Sequence, residues 1–296
     1  MKTYSCLTYI SDWKLLEKVY AEINRMEDLN RSDTLQAIEL DTETEEYFNL
    51  RDFLRDLHID FKERRRNEWS YEELKSCWYM LMHSANYYGY PQPENQFHSI
   101  CYNEKIACPV CGNGAPQIEP FRLKKVPAVS TGKRYGVMFV NWVLEPIIPT
   151  ELSVILNDAG LSGMEYWPVL KVSGTSVWEE WVQLFIKNVL PPMSEETIFR
   201  KVETIEEIED PWIREMLSTT EYMSWCDCGK LGLQPPTKVY YRQDDLQMFC
   251  DFNKTKEWVG GGRTTWQEII ISSKAYCLMR EYCNNIDFMF EPIFFR

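Results

Sequence analysis

The pattern of apolar and polar positions changes character near residue 100. Before that point apolar residues recur at helical spacing. In SDWKLLEKVYAEINRM, Trp13, Leu16, Val19, Tyr20 and Ile23 share one stripe. NLRDFLRDLHIDFKERRR places Leu50, Phe53, Leu54 and Leu57 on another and ends in a basic run that suits the negative end of a helix dipole. SYEELKSCWYMLMHSANYYGY opens with Ser70 and Glu73 at capping-box spacing and continues through Leu74, Cys77, Trp78 and Leu81 as a buried face. Residues 1–100 are therefore expected to form a mainly helical region.

From about residue 101 alternation replaces the helical period. RYGVMFVNWVL (134–144) and GMEYWPVL (163–170) predict strands. TELSVILNDAG (150–160) predicts a short helix, with Thr150 as N-cap and Gly160 closing it. SVWEEWVQLFIKNVL and SEETIFRKVETIEEIEDPWIREML predict a helical insert, 173–220, broken at Pro191, Pro192 and Pro211. IDFMFEPIFF (286–295) predicts a last strand. LSVILNDAGLSGMEYWPVL (152–170) lies without gaps on YCLMREYCNNIDFMFEPIF (276–294). Tyr166 then meets Phe290, Pro168 meets Pro292, Ile155 meets Met279, and upstream Trp142 meets Trp266. The expected fold class is α+β: the helical N-terminal region, then a region 101–296 with two repeated β/α units, about 101–172 and 221–296, joined by a zinc-ribbon-like cysteine clasp.

That clasp rests on two short motifs. ACPVCGNG (107–114) stands upstream of the first unit and WCDCGKLG (225–232) upstream of the second; each is a cysteine pair followed by glycine. A Cys-x-x-Cys-Gly knuckle aims two thiolates at one point, and its glycine allows the turn a positive φ. Cys108, Cys111, Cys226 and Cys228 together supply the four sulfurs that zinc favours, at about 2.3 Å per bond. The separation of the pairs is little obstacle, because closure entropy grows slowly with loop length. With four protein sulfurs no position stays open for water, so the zinc expected here is structural. Cys101 and His98 are further donors in reach by sequence. Two other readings compete. CPVC has the form of a thioredoxin-like redox pair, although GNGAPQIEPF puts glycine and proline where its helix would start. The thiols can also simply pack.

Charge narrows the choice of partner. The formal net charge is −13 and the pI about 4.9, which disfavours general nucleic-acid binding and suits a basic partner. A local basic stretch, RLKKVPAVSTGKRY (122–135), carries Arg122, Lys124, Lys125, Lys133 and Arg134, and keeps a zinc-ribbon nucleic-acid-binding or regulatory protein as the alternative. The candidate partner surface is ETIEEIEDPWIREM (203–216): Glu203, Glu206, Glu207, Glu209 and Asp210, with Trp212 as anchor. ELDTETEEYF (39–48) is the second acidic candidate. No signal peptide or membrane span is legible, and ten dispersed cysteines do not form a disulfide framework, so a cytoplasmic protein is expected.

An enzyme is not expected. Only three histidines occur, and HExxH, GxSxG, P-loop and dinucleotide motifs are missing. His58 and His83 are expected on helices as ordinary core or surface residues. The glycine-rich VGGGRTTW (259–266) lacks a following Lys-Ser/Thr and reads as a hairpin loop.

Taken together, the two knuckles and the two helix–turn–strand units resemble the double-CxxCG-motif immunity proteins of bacterial polymorphic toxin systems. GLSGMEYWPV (160–169) is similar to a segment that closes the unit in related immunity families. The resemblance covers about residues 101–296. CDCG is one residue shorter than the motif, and NNIDFMFEPI lacks its glycines. What the resemblance implies is a cytoplasmic antidote that binds and neutralises a cognate protein toxin, without turnover of a substrate.

Overall fold

The computed structural model describes residues 2–10, 35–59, 61–83, 86–199, 226–232, 236–261, 264–283, 286 and 289–296. The chain divides into two units, Met1–Glu73 and Leu74–Arg296, a boundary earlier than the change of pattern near residue 100. It is mixed α and β throughout.

In the first unit, β1 (Lys2–Ile10) lies between β2 (Leu35–Asp41) and β3 (Phe61–Glu68) and is antiparallel to both. Helix α1 (Glu45–Asp56) contributes Tyr47, Leu50 and Leu54 to a buried cluster with Leu7, Ile38 and Leu40. Among the described residues the expected mainly helical character is corrected: three strands accompany helix α1 in this unit. The helix through Leu50 and Leu54 stops at Asp56, because His58 takes the left-handed φ of 54° and Ile59 N–H turns back to the Leu54 carbonyl (2.9 Å). The basic run then leaves as β3, paired along β1. The expected helix over Trp13–Ile23 lies outside the described residues. ELDTETEEYF becomes the end of β2 and the start of α1. Asp41 Oδ1 accepts from Glu43 N–H (3.0 Å), and Glu45 and Glu46 fill the first turn, where the helix dipole favours negative charge.

The unit boundary falls within α2 (Tyr71–Ser76). Its capping box forms as the sequence predicts: Ser70 N–H donates to Glu73 Oε2 (2.9 Å) and Glu73 N–H to Ser70 Oγ (3.3 Å). The helix does not run on, however. Trp78 is exposed, and β4 (Tyr79–Met82) begins at once.

The second unit continues with α3 (Phe97–Cys101), β5 (Arg122–Leu123), α4 (Val129–Tyr135), β6 (Met138–Val140), β7 (Glu145–Pro149), α5 (Thr150–Asp158), β8 (Met164–Lys171) and β9 (Val177–Ile186). The short strands β10 (Ile198–Phe199), β11 (Pro236–Lys238) and β12 (Tyr240–Tyr241) follow. Then come β13 (Phe252–Lys254), β14 (Val259–Gly261), β15 (Thr264–Trp266), β16 (Ile269–Ser272), α6 (Ser273–Tyr282), β17 (Phe290–Pro292) and β18 (Phe294–Phe295). Among the described residues no helix is long and apolar enough to cross a membrane.

Three local expectations are revised. The segment SVWEEWVQLFI, placed in a helical insert over 173–220, is the strand β9: Trp181, Gln183, Leu184 and Ile186 are buried, and its backbone pairs with β7 and β8 on its two sides. Pairing with β8 along the strand, and with β7 at Trp181–Gln183, gives its backbone groups partners that a helix would supply internally, and tertiary contact decides between them. Thr150 opens α5 but does not cap it; its hydroxyl donates to the Glu179 carbonyl (2.6 Å). Gly160 does close that helix, at φ 66°. Within 134–144, only Met138–Val140 is strand; the start belongs to α4 and the end to a turn holding Trp142 and Leu144 at positive φ.

Two sheets organise this unit. One has the order β5-β8-β9-β7-β6 and the other β13-β16-β4-β17. In the first, β9 stands between β7 and β8, the two strands flanking α5, and is antiparallel to both. In the second, β4 stands between β16 and β17, the strands flanking α6, again antiparallel to both. Strand β6 borders β7 as β13 borders β16. The middle strand follows its helix in the first sheet and precedes everything else in the second. Gly163 sits where the two sheets meet: its carbonyl accepts from Lys187 N–H (3.0 Å), and the adjacent Ser162 carbonyl accepts from Phe252 N–H (3.0 Å).

Candidate metal centre

Each cysteine pair is shaped by a turn that its glycine completes. In the first knuckle Gly112 N–H returns to the Cys108 carbonyl (2.8 Å) and Cys108 N–H to the Asn113 carbonyl (2.7 Å), with Gly112 at φ 70°. In the second, one residue shorter, Gly229 N–H returns to the Cys226 carbonyl (2.9 Å) and Cys226 N–H to the Lys230 carbonyl (3.1 Å), with Gly229 at φ 96°. The missing residue in CDCG thus tightens the turn without abolishing it.

The two knuckles face each other. Cys108 Sγ lies 3.7 Å from Cys226 Sγ, and Cys111 Sγ 3.5 Å from Cys228 Sγ. All four sulfurs lie within 4.8 Å of one another and form a set that can hold a metal ion. The thiols are partly buried and none is in a disulfide.

A hairpin, β14–β15, braces both sides. Trp258 N–H donates to the Gly229 carbonyl (2.9 Å), Leu231 N–H to the Trp258 carbonyl (2.7 Å) and Gly260 N–H to the Gly232 carbonyl (2.7 Å), so the second knuckle is stitched along the hairpin's first strand. From the other strand, Thr265 Oγ1 donates to Asn113 Oδ1 in the first knuckle. VGGGRTTW is therefore a hairpin, as expected, but one whose backbone holds the site. Sequence reasoning missed Trp258, Thr265 and Asn113; the glycine run marking a close backbone approach was the available signal.

Electrostatics within the cluster are uneven. The N–H groups of Cys111 and Val110 donate to Cys108 and bring its thiol down to about 7. Burial pushes Cys228 up to about 12, with the neighbouring thiols adding to the rise, and burial likewise raises Cys111. Four sulfurs in mutual contact cannot all ionise without a cation among them. Lys230, two residues after Cys228, is buried.

The other sequence candidates fall elsewhere. Cys101 is buried at the end of α3, its thiol pushed up to about 11 by burial, and donates to the Pro120 carbonyl rather than joining the cluster. His98 stacks on Tyr102 and faces Glu104 (3.4 Å). His58 ends α1, and His83 follows β4 beside Glu291 (3.3 Å). Lys133 pairs with Glu151, while Lys125 and Arg134 lie over the rings of Tyr88 and Tyr135. The acidic candidates Glu203, Glu206, Glu207, Glu209 and Asp210, with Trp212, lie outside the described residues.

No family model, curated protein or solved structure matches the chain.

Proposed function

We propose that this chain is a cytoplasmic immunity protein that binds and neutralises a cognate basic protein toxin, and that Cys108, Cys111, Cys226 and Cys228 hold one structural zinc. The convergence of two distant Cys-Gly knuckles on one point carries the reading. A tetrahedron of Zn–S bonds near 2.3 Å has sulfur–sulfur edges of about 3.8 Å, and the observed pairs at 3.5 and 3.7 Å suit it. The shared strand order of the two sheets supports reading the two β/α units as copies of one another, with β4 standing in the second copy where β9 stands in the first. A metal between the knuckles then clasps copy to copy.

An antidote needs a rigid scaffold and a complementary surface, and a net charge of −13 suits a basic partner by speeding encounter and selecting against wrong ones. The nucleic-acid alternative draws on the basic stretch 122–135; the pairing of Lys133 with Glu151 and the ring contacts of Lys125 and Arg134 make that stretch less available for phosphate.

Elemental analysis tests the zinc, with about one ion per chain expected. Co-expression with basic toxin domains from the same genome tests the partner. Restored growth and a one-to-one complex on size exclusion support the proposal. Failure with every such domain, together with nucleic-acid binding that collapses as salt rises, would replace it with the alternative.

A further inference from the structure

A cleft of about 610 Å³ opens beside the first knuckle, within the size range of small-molecule sites. Its walls carry the rings of Phe97, Tyr102, Trp142, Phe185 and Trp258. Trp142 is 42% exposed, its ring 4.7 Å from Tyr90 and 6.0 Å from Phe97, and its backbone is held at φ 71°. A bulky residue in that conformation is strained, and such strain gathers at binding sites.

The polar groups of the lining are half used. Asn113 is 4% exposed; its Oδ1 accepts from Thr265, while its Nδ2 is buried without a hydrogen-bond partner among the described residues. Glu145 Oε1 is taken by Lys254, while Oε2 is buried with none. A buried donor and a buried acceptor, neither with a partner, thus belong to two residues that line one aromatic cleft. Its two lysines are already paired: Lys254 with Glu145, and Lys187 with Glu165 (2.7 Å).

We propose that this cleft binds an uncharged planar heterocycle bearing both a hydrogen-bond donor and an acceptor, of the nucleobase or nucleoside class. Aromatic walls stack on such a ring, Asn113 Nδ2 donates to its carbonyl or ring nitrogen, and Glu145 Oε2 accepts from its N–H. A phosphate would find both lysines of the described lining already paired. The inference stands apart from the immunity reading, since it needs no protein partner.

The test uses the purified full chain with its metal, probed with guanosine and uridine by calorimetry and saturation-transfer NMR. Guanosine monophosphate and indole serve as comparisons. A nucleoside is expected to bind with a dissociation constant below about 1 mM, the monophosphate no more tightly and indole at least about tenfold more weakly. Trp142→Leu is expected to weaken nucleoside binding by about tenfold or more and Trp142→Phe to preserve it, at unchanged melting temperature for both. Absence of nucleoside binding, equal binding of indole, tighter binding of the monophosphate, or indifference to Trp142→Leu would each overturn the proposal. If Trp142→Leu unfolds the chain, protection of the Trp142 indole signal by nucleoside in the parent protein decides, and its absence overturns the proposal too.

Discussion

Cys111 Sγ and Cys228 Sγ lie 3.5 Å apart although 117 residues separate them. Nothing local brings them together; two sheets, a hairpin and the turns of two knuckles do. On the proposed zinc site, Cys108→Ser and Cys228→Ser are each expected to reduce bound metal well below one ion per chain and to lower stability together with it. Removing the metal with a chelator should do the same: saturation at a thousandfold excess over the dissociation constant is worth about 4 kcal/mol. Metal analysis and thermal melts on the same samples check this, and a serine variant that melted like the parent with its zinc intact would remove the clasp.

Thr265→Val tests the brace. It deletes the donor to Asn113 Oδ1 and leaves a buried amide less satisfied, which costs about 1–3 kcal/mol. Because Asn113 follows the first knuckle directly, zinc affinity should also fall, by about tenfold as for other outer supports of a metal site. Competition with a chromophoric chelator measures it. An unchanged affinity would mean that the knuckle holds its shape alone.

Gly163→Ala is expected to destabilise the protein more than most surface changes. Gly163 has φ 89°, and an added Cβ would run into the Phe252 carbonyl and Cys250. The substitution therefore strains the backbone and pushes the two sheets apart where they join, at a cost of about 2 kcal/mol or more. Urea denaturation checks the size of the effect.

Lys254→Met leaves Glu145 largely buried and without its counter-ion. Breaking one side of a buried pair costs about 3–5 kcal/mol. Adding Glu145→Gln in the same chain should recover much of that loss, since the stranded charge is then gone. A double-mutant cycle by chemical denaturation reads the coupling.

Stability should also depend on pH through the His83 cluster. Burial lowers the His83 pKa, but the hydrogen bond to Glu291 and the charges of Glu291 and Glu268 outweigh it, and the net shift is upward. A raised histidine stabilises the fold fully below its unfolded value of about 6.5 and ceases to do so as pH rises through the folded value. Burial raises Glu268 as well, so its contribution likewise declines with rising pH, starting above the ordinary carboxylate range. The melting temperature is expected to fall as pH rises above about 6.5, and to fall less in His83→Gln. Parallel curves for the two proteins would assign the dependence to other groups.

Local rules were reliable where a structure is closed by its neighbours in sequence. The Ser70–Glu73 capping box, the α5 helix ended by Gly160, the strand 164–171 and the positive φ of Gly112 and Gly229 all follow from residues within a few positions of one another. The four cysteines were legible as one set because thiol pairs followed by glycine have few other uses. The choice between helix and strand for FKERRRNE and VWEEWVQLFI was not legible. FKERRRNE has one apolar residue and no period of its own, and VWEEWVQLFI satisfies helical spacing; both became strands because β1 in one case, and β8 with part of β7 in the other, offered backbone partners.

The sequence alone determined which residues can hold a metal, where α2 begins, where α5 begins and ends, and that the chain is acidic. Only tertiary structure decided that β4 completes the second sheet, that a glycine hairpin braces both knuckles, and that Asn113 and Glu145 meet at one aromatic cleft. The physical reason is range: caps, turns and chelating pairs are settled by contacts over a few residues, whereas strand partners and cavity walls are chosen by burial among segments far apart in the chain.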